Sequence, residues 1–146
     1  MIKRIVKEVE LLNTRYIVDN CFHFDKSVNI YINTNFVVKF ILNDYPFSRP
    51  KVYIIYNTIQ TNYNDFTHLK YPRLQRQLDL CNKRCFCGST IMCRDWKPSY
   101  KITDIIDDIK NMRNLIRNLI YNSYIDKICE KNHIPDDIAK LIYFEK

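Results

Sequence analysis

The chain has 146 residues, 47% of them hydrophobic, and a formal net charge of +7; this length and apolar share fit one domain with its own core and argue against two. The surplus of Asn, Ile, Lys and Tyr over Ala and Gly resembles the bias of an AT-rich genome, as in some parasites and large DNA viruses, which would account for part of the charge, so basicity alone is a weak argument for nucleic acid. No stretch reaches the roughly 20 apolar residues of a membrane span, and Met1 to Glu10 alternates charged with apolar residues where a signal peptide would run apolar, so the expectation is a soluble intracellular protein, cytoplasmic or nuclear.

Ile2, Ile5, Val6, Val9 and Leu12 follow helical spacing, which predicts an amphipathic helix over 2–12 with Lys3, Arg4, Lys7 and Glu10 on its wet side. Four runs rich in Val, Ile, Tyr and Phe follow: Arg15 to Asp19, Ser27 to Asn33, Phe36 to Asn43 and Lys51 to Asn57. The first two links are short, which favours an antiparallel meander. Between the third and fourth runs Pro46 and Pro50 hold an extended, rigid turn, because neither can donate to a ladder. From Thr58 to Arg84 the sequence is polar and aperiodic, a long loop. Helical order returns after Trp96, with Ile102, Ile105, Ile106, Ile109, Met112, Ile116, Leu119 and Ile120 on one stripe and Thr103 as candidate cap. Residues 123–146 read as two shorter helices broken at Asn132 to Pro135. This order predicts an α+β layer, with a core over 1–120 and a C-terminal helical extension over 121–146 packed on the same domain.

The stretch from Cys85 to Ser99 concentrates the candidate chemistry, since it holds three cysteines, the only glycine and the only tryptophan. Cys81, Cys85, Cys87 and Cys93 are spaced C-x3-C-x-C-x5-C. Four thiolates can hold a structural zinc tetrahedrally and brace a long loop; one of them can equally be a reactive thiol among inert neighbours, with Lys83, Arg84 and Arg94 favouring its thiolate form. His68 is read as a solvent-exposed imidazole, and Cys21 and Cys129 as small core residues. The basic run through Lys70, Arg73, Arg76, Lys83 and Arg84 has no stacking platform beside it, so nucleic acid is an unlikely partner.

Three stretches in order resemble the ubiquitin-conjugating (E2, UBC-like) family. Lys3-Arg4-Ile5-Val6-Lys7-Glu8 resembles its opening helix; Tyr45-Pro46-Phe47-Ser48-Arg49-Pro50-Lys51-Val52 resembles its Tyr-Pro-Phe-x-x-Pro-x-Val turn between strands three and four; Trp96-Lys97-Pro98-Ser99, with Ile102, Thr103, Ile105 and Ile106 behind it, resembles its Trp-x-Pro-Ala/Ser loop and core helix. The resemblance covers residues 1 to about 120 and implies an N-terminal helix, a four-stranded antiparallel meander, a long cysteine-bearing loop, a core helix and C-terminal helices. Ile91-Met92 matches the family's Ile-Leu pair, and counting back puts Gly88 at the cysteine position with Cys87 beside it. The implied activity is transfer of ubiquitin or a ubiquitin-like protein through a thioester on Cys87, with no cofactor required. The implied partners are an activating enzyme, at Lys3, Arg4 and Lys7, and a ligase, at Phe47 and Pro98. Two motifs depart from the family: Tyr71-Pro72-Arg73 stands where it has His-Pro-Asn, and Tyr121-Asn122-Ser123-Tyr124 where many members carry an acidic loop. These departures keep open the alternative of a catalytically inactive UBC-like scaffold whose cysteine cluster binds zinc. Both readings require the proline turn and the tryptophan–proline corner to meet.

Overall fold

The computed structural model describes residues 2–21, 26–63, 91, 96–135 and 138. Helix α1, Ile2–Asn13, is followed by strands β1, Ile17–Cys21, β2, Ser27–Asn33, β3, Phe36–Ile41, β4, Lys51–Tyr56, and β5, Ile59–Asn62, and then by helix α2, Ile102–Lys131. The strands form one antiparallel sheet in the order β1-β2-β3-β4-β5. The molecule is thus α+β with an antiparallel meander, as expected, but the meander has a fifth strand.

That strand corrects the expectation of an irregular loop from Thr58. Asn57 and Thr58 have φ of 48° and 70°, the left-handed pair that a two-residue hairpin of type I′ demands. The pairing of Tyr56 with Ile59 closes directly around them. Asn accepts this conformation readily; threonine, β-branched, does so at a cost, so the turn is written in the sequence only by its first residue. At the β2–β3 hairpin, by contrast, the Asn33 side chain accepts the Asn35 N–H at 3.0 Å, the local bond by which Asn nucleates turns.

Alternation in β2, β3 and β4 sends Val28, Ile30, Phe36, Val38, Phe40, Val52 and Ile54 to one face of the sheet, all buried. Ile5, Val9 and Leu12 of α1 and Ile102, Ile105, Ile106 and Ile109 of α2 join them in one core. Each such side chain is worth about 1.5–3 kcal/mol on burial, so the two helices are held to the sheet by their apolar stripes.

Helix α2 runs unbroken for 30 residues, about 45 Å. The boundary drawn after residue 120 falls inside it, and residues 123–131 are its last turns; only the break at Asn132 stands as expected. There the Ile134 N–H reaches the Cys129 carbonyl at 2.9 Å and the His133 N–H the Glu130 carbonyl at 3.3 Å, a Schellman stop with His133, φ 54°, in the left-handed seat usually given to glycine. Thr103 is not the cap at the other end. Lys101 occupies that place, with its backbone N–H donating to the Asp104 carboxylate at 2.9 Å. Among the described residues no helix is long and apolar enough to cross a membrane.

Candidate functional site at the start of the long helix

Glu8 shares the α1 face of Ile5 and Leu12, three and four residues away, and is only 7% exposed. A buried carboxylate is costly unless fully partnered. Here Oε1 accepts from Arg4 Nε at 2.7 Å, and Oε2 accepts the Ile102 backbone N–H at 2.9 Å. The Tyr45 hydroxyl lies 2.9 and 2.8 Å from the two oxygens, and 3.0 Å from the Tyr100 carbonyl. A phenol has one proton, and the charged carboxylate is the stronger acceptor. The Tyr100 carbonyl is served instead by Arg4 Nη2 at 2.8 Å. Arg4 Nη1 donates to the Pro98 carbonyl.

The bond to Ile102 matters for a further reason. Ile102 is the first residue of α2, and its N–H is one of the donors that a helix leaves unpaired. Glu8 supplies the acceptor from another helix, and places negative charge at the positive end of α2. The Glu8 bond holds the Arg4 guanidinium above its ordinary pKa. Burial, and then the hydrogen bond to Glu8, push the Tyr45 hydroxyl well above the usual phenol range.

The two corners meet on the same spot. The Trp96 indole N–H donates to the Pro46 carbonyl at 2.8 Å, and its ring packs on Tyr45 and Tyr100 at centroid distances of 6.0 and 5.5 Å. The Tyr45–Pro46 bond is cis. The chain turns around this bond, with the Phe47 and Ser48 N–H groups on the Asp44 carbonyl at 2.9 and 3.0 Å. That turn leaves the Phe47 ring 73% exposed, and Pro98 is exposed as well. One apolar aromatic and one proline are therefore presented to solvent from a junction whose backbone is held by Trp96 and Arg4.

Lys3 and Lys7 lie exposed on α1. Arg4, expected beside them on the wet face, instead directs its guanidinium to Glu8 and to the Pro98 and Tyr100 carbonyls, so most of its donors go to partners within the chain. Cys81, Cys85, Cys87, Cys93, His68, and the stretch from Tyr71 to Arg73 lie outside the described residues. Among the described residues no cluster of three or more His, Cys, Asp or Glu side chains is placed to hold a metal. Cys129 is buried and free, a small core residue. Ile91 is tied to the second turn of α2, where its N–H donates to the Asp108 carboxylate.

The residue that sequence reasoning passed over is Glu8. Its signal was present: an acid three residues from Ile5 and four from Leu12 stands on the apolar stripe, with Arg4 one turn before it.

Comparison with models of known protein families, with curated proteins and with solved structures finds no match to this chain.

Proposed function

We propose that this chain is an E2-like conjugating protein for ubiquitin or a ubiquitin-like modifier, with Cys87 as the thioester acceptor. One observation supports this reading above the others: the three stretches that carry the resemblance, from α1, the proline turn and the tryptophan–proline corner, converge through Glu8, Tyr45, Trp96 and Pro46 on the first residue of α2. Ninety-four residues separate Glu8 from Ile102, so local sequence does not enforce the convergence.

In the proposed reaction the Cys87 thiolate attacks the thioester carbonyl of modifier carried by an activating enzyme. A new thioester forms on Cys87 and the donor thiol leaves. A lysine amine of the target then attacks; the amide bond forms, the C–S bond breaks and the thiolate of Cys87 departs. Exposed Lys3 and Lys7 are the side chains of α1 offered to the activating enzyme, with Arg4 bracing the helix behind them; Phe47 and Pro98 are offered to a ligase. Tyr71-Pro72-Arg73 lacks an amide donor for the oxyanion, and loss of one such donor costs about 100- to 1,000-fold in rate, so slow transfer is expected.

The test is to incubate the protein with activating enzyme, ATP and ubiquitin, or in turn the ubiquitin-like modifiers with their own activating enzymes. A thiol-sensitive adduct that Cys87→Ala abolishes is the expected result. No adduct with any modifier, together with about one zinc per chain by metal analysis, would favour the inactive scaffold, whose support is the C-x3-C-x-C-x5-C spacing and the missing Asn.

A further inference from the structure

Away from the junction, the middle of α2 and the sheet end at β3, β4 and β5 enclose an open groove of about 510 Å3. Its floor is apolar, built from Phe36, Tyr56, Ile59, Ile116 and Ile120, and its helix-side rim carries Arg113 and Arg117; among the described residues no acidic side chain lines it. Tyr56, Ile59 and Ile120 are 50%, 70% and 42% exposed. The apolar line continues along the helix, since Ile120, Tyr124 and Ile128 recur every fourth residue, and the last two are more than half exposed. Single exposed apolar side chains are ordinary; a contiguous row rimmed by charge marks an interaction surface.

The rim decides which partner fits. The Arg113 guanidinium sits 4.6 Å over the Phe36 ring, which fixes it at the groove wall. Arg117 has no hydrogen bond or ion pair among the described residues. Two cations one helical turn apart, beside an apolar trough, complement carboxylates on one side of an amphipathic segment. The chain itself carries +7, which disfavours a second copy laid on a cationic rim.

We propose that this groove docks an acidic amphipathic segment of a protein partner, with apolar side chains against Ile59 and Ile120 and carboxylates against Arg113 and Arg117. The proposal is independent of the chemistry at Cys87. It is tested on the full chain with two labelled synthetic helical peptides, each with leucines on one face, one with glutamates and the other with lysines on the opposite face, titrated by fluorescence anisotropy. The glutamate peptide is expected to bind about tenfold more tightly than the lysine peptide and to weaken as salt rises. Arg117→Glu, at an exposed position, should reverse the preference, and Ile59→Ser should weaken both peptides; circular dichroism checks that each variant is folded. Equal affinity for the two peptides, a preference unchanged in Arg117→Glu, or no binding of either at about 1 mM overturns the proposal. So does a concentration-dependent dimer in sedimentation that Ile59→Ser abolishes, which would give the groove to a second copy.

Discussion

At its N-terminal end α2 is fastened by a carboxylate that other parts of the chain surround, whereas along its second half it leaves Ile120, Tyr124 and Ile128 facing solvent. The first end is polar around a buried pair, Glu8 and Tyr45, with Arg4 and the Tyr100 and Pro98 carbonyls completing the network at its edge; the second is apolar but exposed. Stability is therefore concentrated in the junction, because a buried charge left without one partner costs far more than an exposed isoleucine changed to a polar residue. The contrast also separates two kinds of surface. Phe47 and Pro98 stand on a junction tied by Trp96 and Arg4, while beside Arg117 the side chains of Tyr56, Ile59 and Ile120 face solvent.

The largest expected effect is at Glu8. Glu8→Ala removes the acceptor of Arg4, Tyr45 and Ile102 together and should lower unfolding free energy by about 3–4 kcal/mol in urea denaturation at neutral pH. A loss under about 1 kcal/mol would mean that the two ends are held alike. Tyr45→Phe should cost about 1–2 kcal/mol and change the alkaline limb. The Tyr45 pKa is raised by burial and by Glu8 above the ordinary 10.0, so above pH 10 the native state keeps a proton that the unfolded state releases. Stability contributed by this phenol is thus complete below pH 10 and is lost as pH rises through the folded value. Denaturation curves at pH 8 to 11 should fall more steeply for the parent than for Tyr45→Phe, and absorbance at 295 nm should show one tyrosine ionising only with unfolding. At the far end, His133→Gly should stabilise by about 1 kcal/mol, because it relieves a left-handed backbone at a Schellman stop; thermal melting checks the sign. Smallest of all, Ile128→Ser should stay within about 0.5 kcal/mol.

The contrast between the two ends also explains what could be read in advance. Pro46, Pro50, Trp96 and Pro98 constrain backbone or carry a large, partly buried ring, so their corners are legible from residue type alone, and the apolar stripe of α2 predicts its buried face through Leu119. The β5 strand is not legible, since Ile59 and Thr61 give only two alternations and the turn before it lacks the glycine that announces a type I′ hairpin. The continuity of α2 past Tyr121 is hidden because Asn122 and Ser123 resemble a loop by composition, yet both are polar residues on a helix already nucleated by the core. Glu8 stands on the apolar stripe in the sequence, but a glutamate on a helix is ordinarily solvated, and the partners that allow its burial, Tyr45 and Ile102, are far away in sequence. The groove could not be foreseen, as it is made by Ile59 of an unexpected strand facing Ile120.

The carboxylate of Glu8 also has to wait during synthesis for a partner 94 residues away. During translation α1 and strands β1 to β5 emerge first, and the acid on α1 stays hydrated until residues 98–102 leave the ribosome and supply the last acceptors and donors around it. From the end of β5 at Asn62 to the start of α2 at Ile102, the sheet therefore waits with only α1 available to cover its apolar face. A nascent polypeptide stalled before residue 102 should bind chaperones, and one released from the tunnel a few turns later should not.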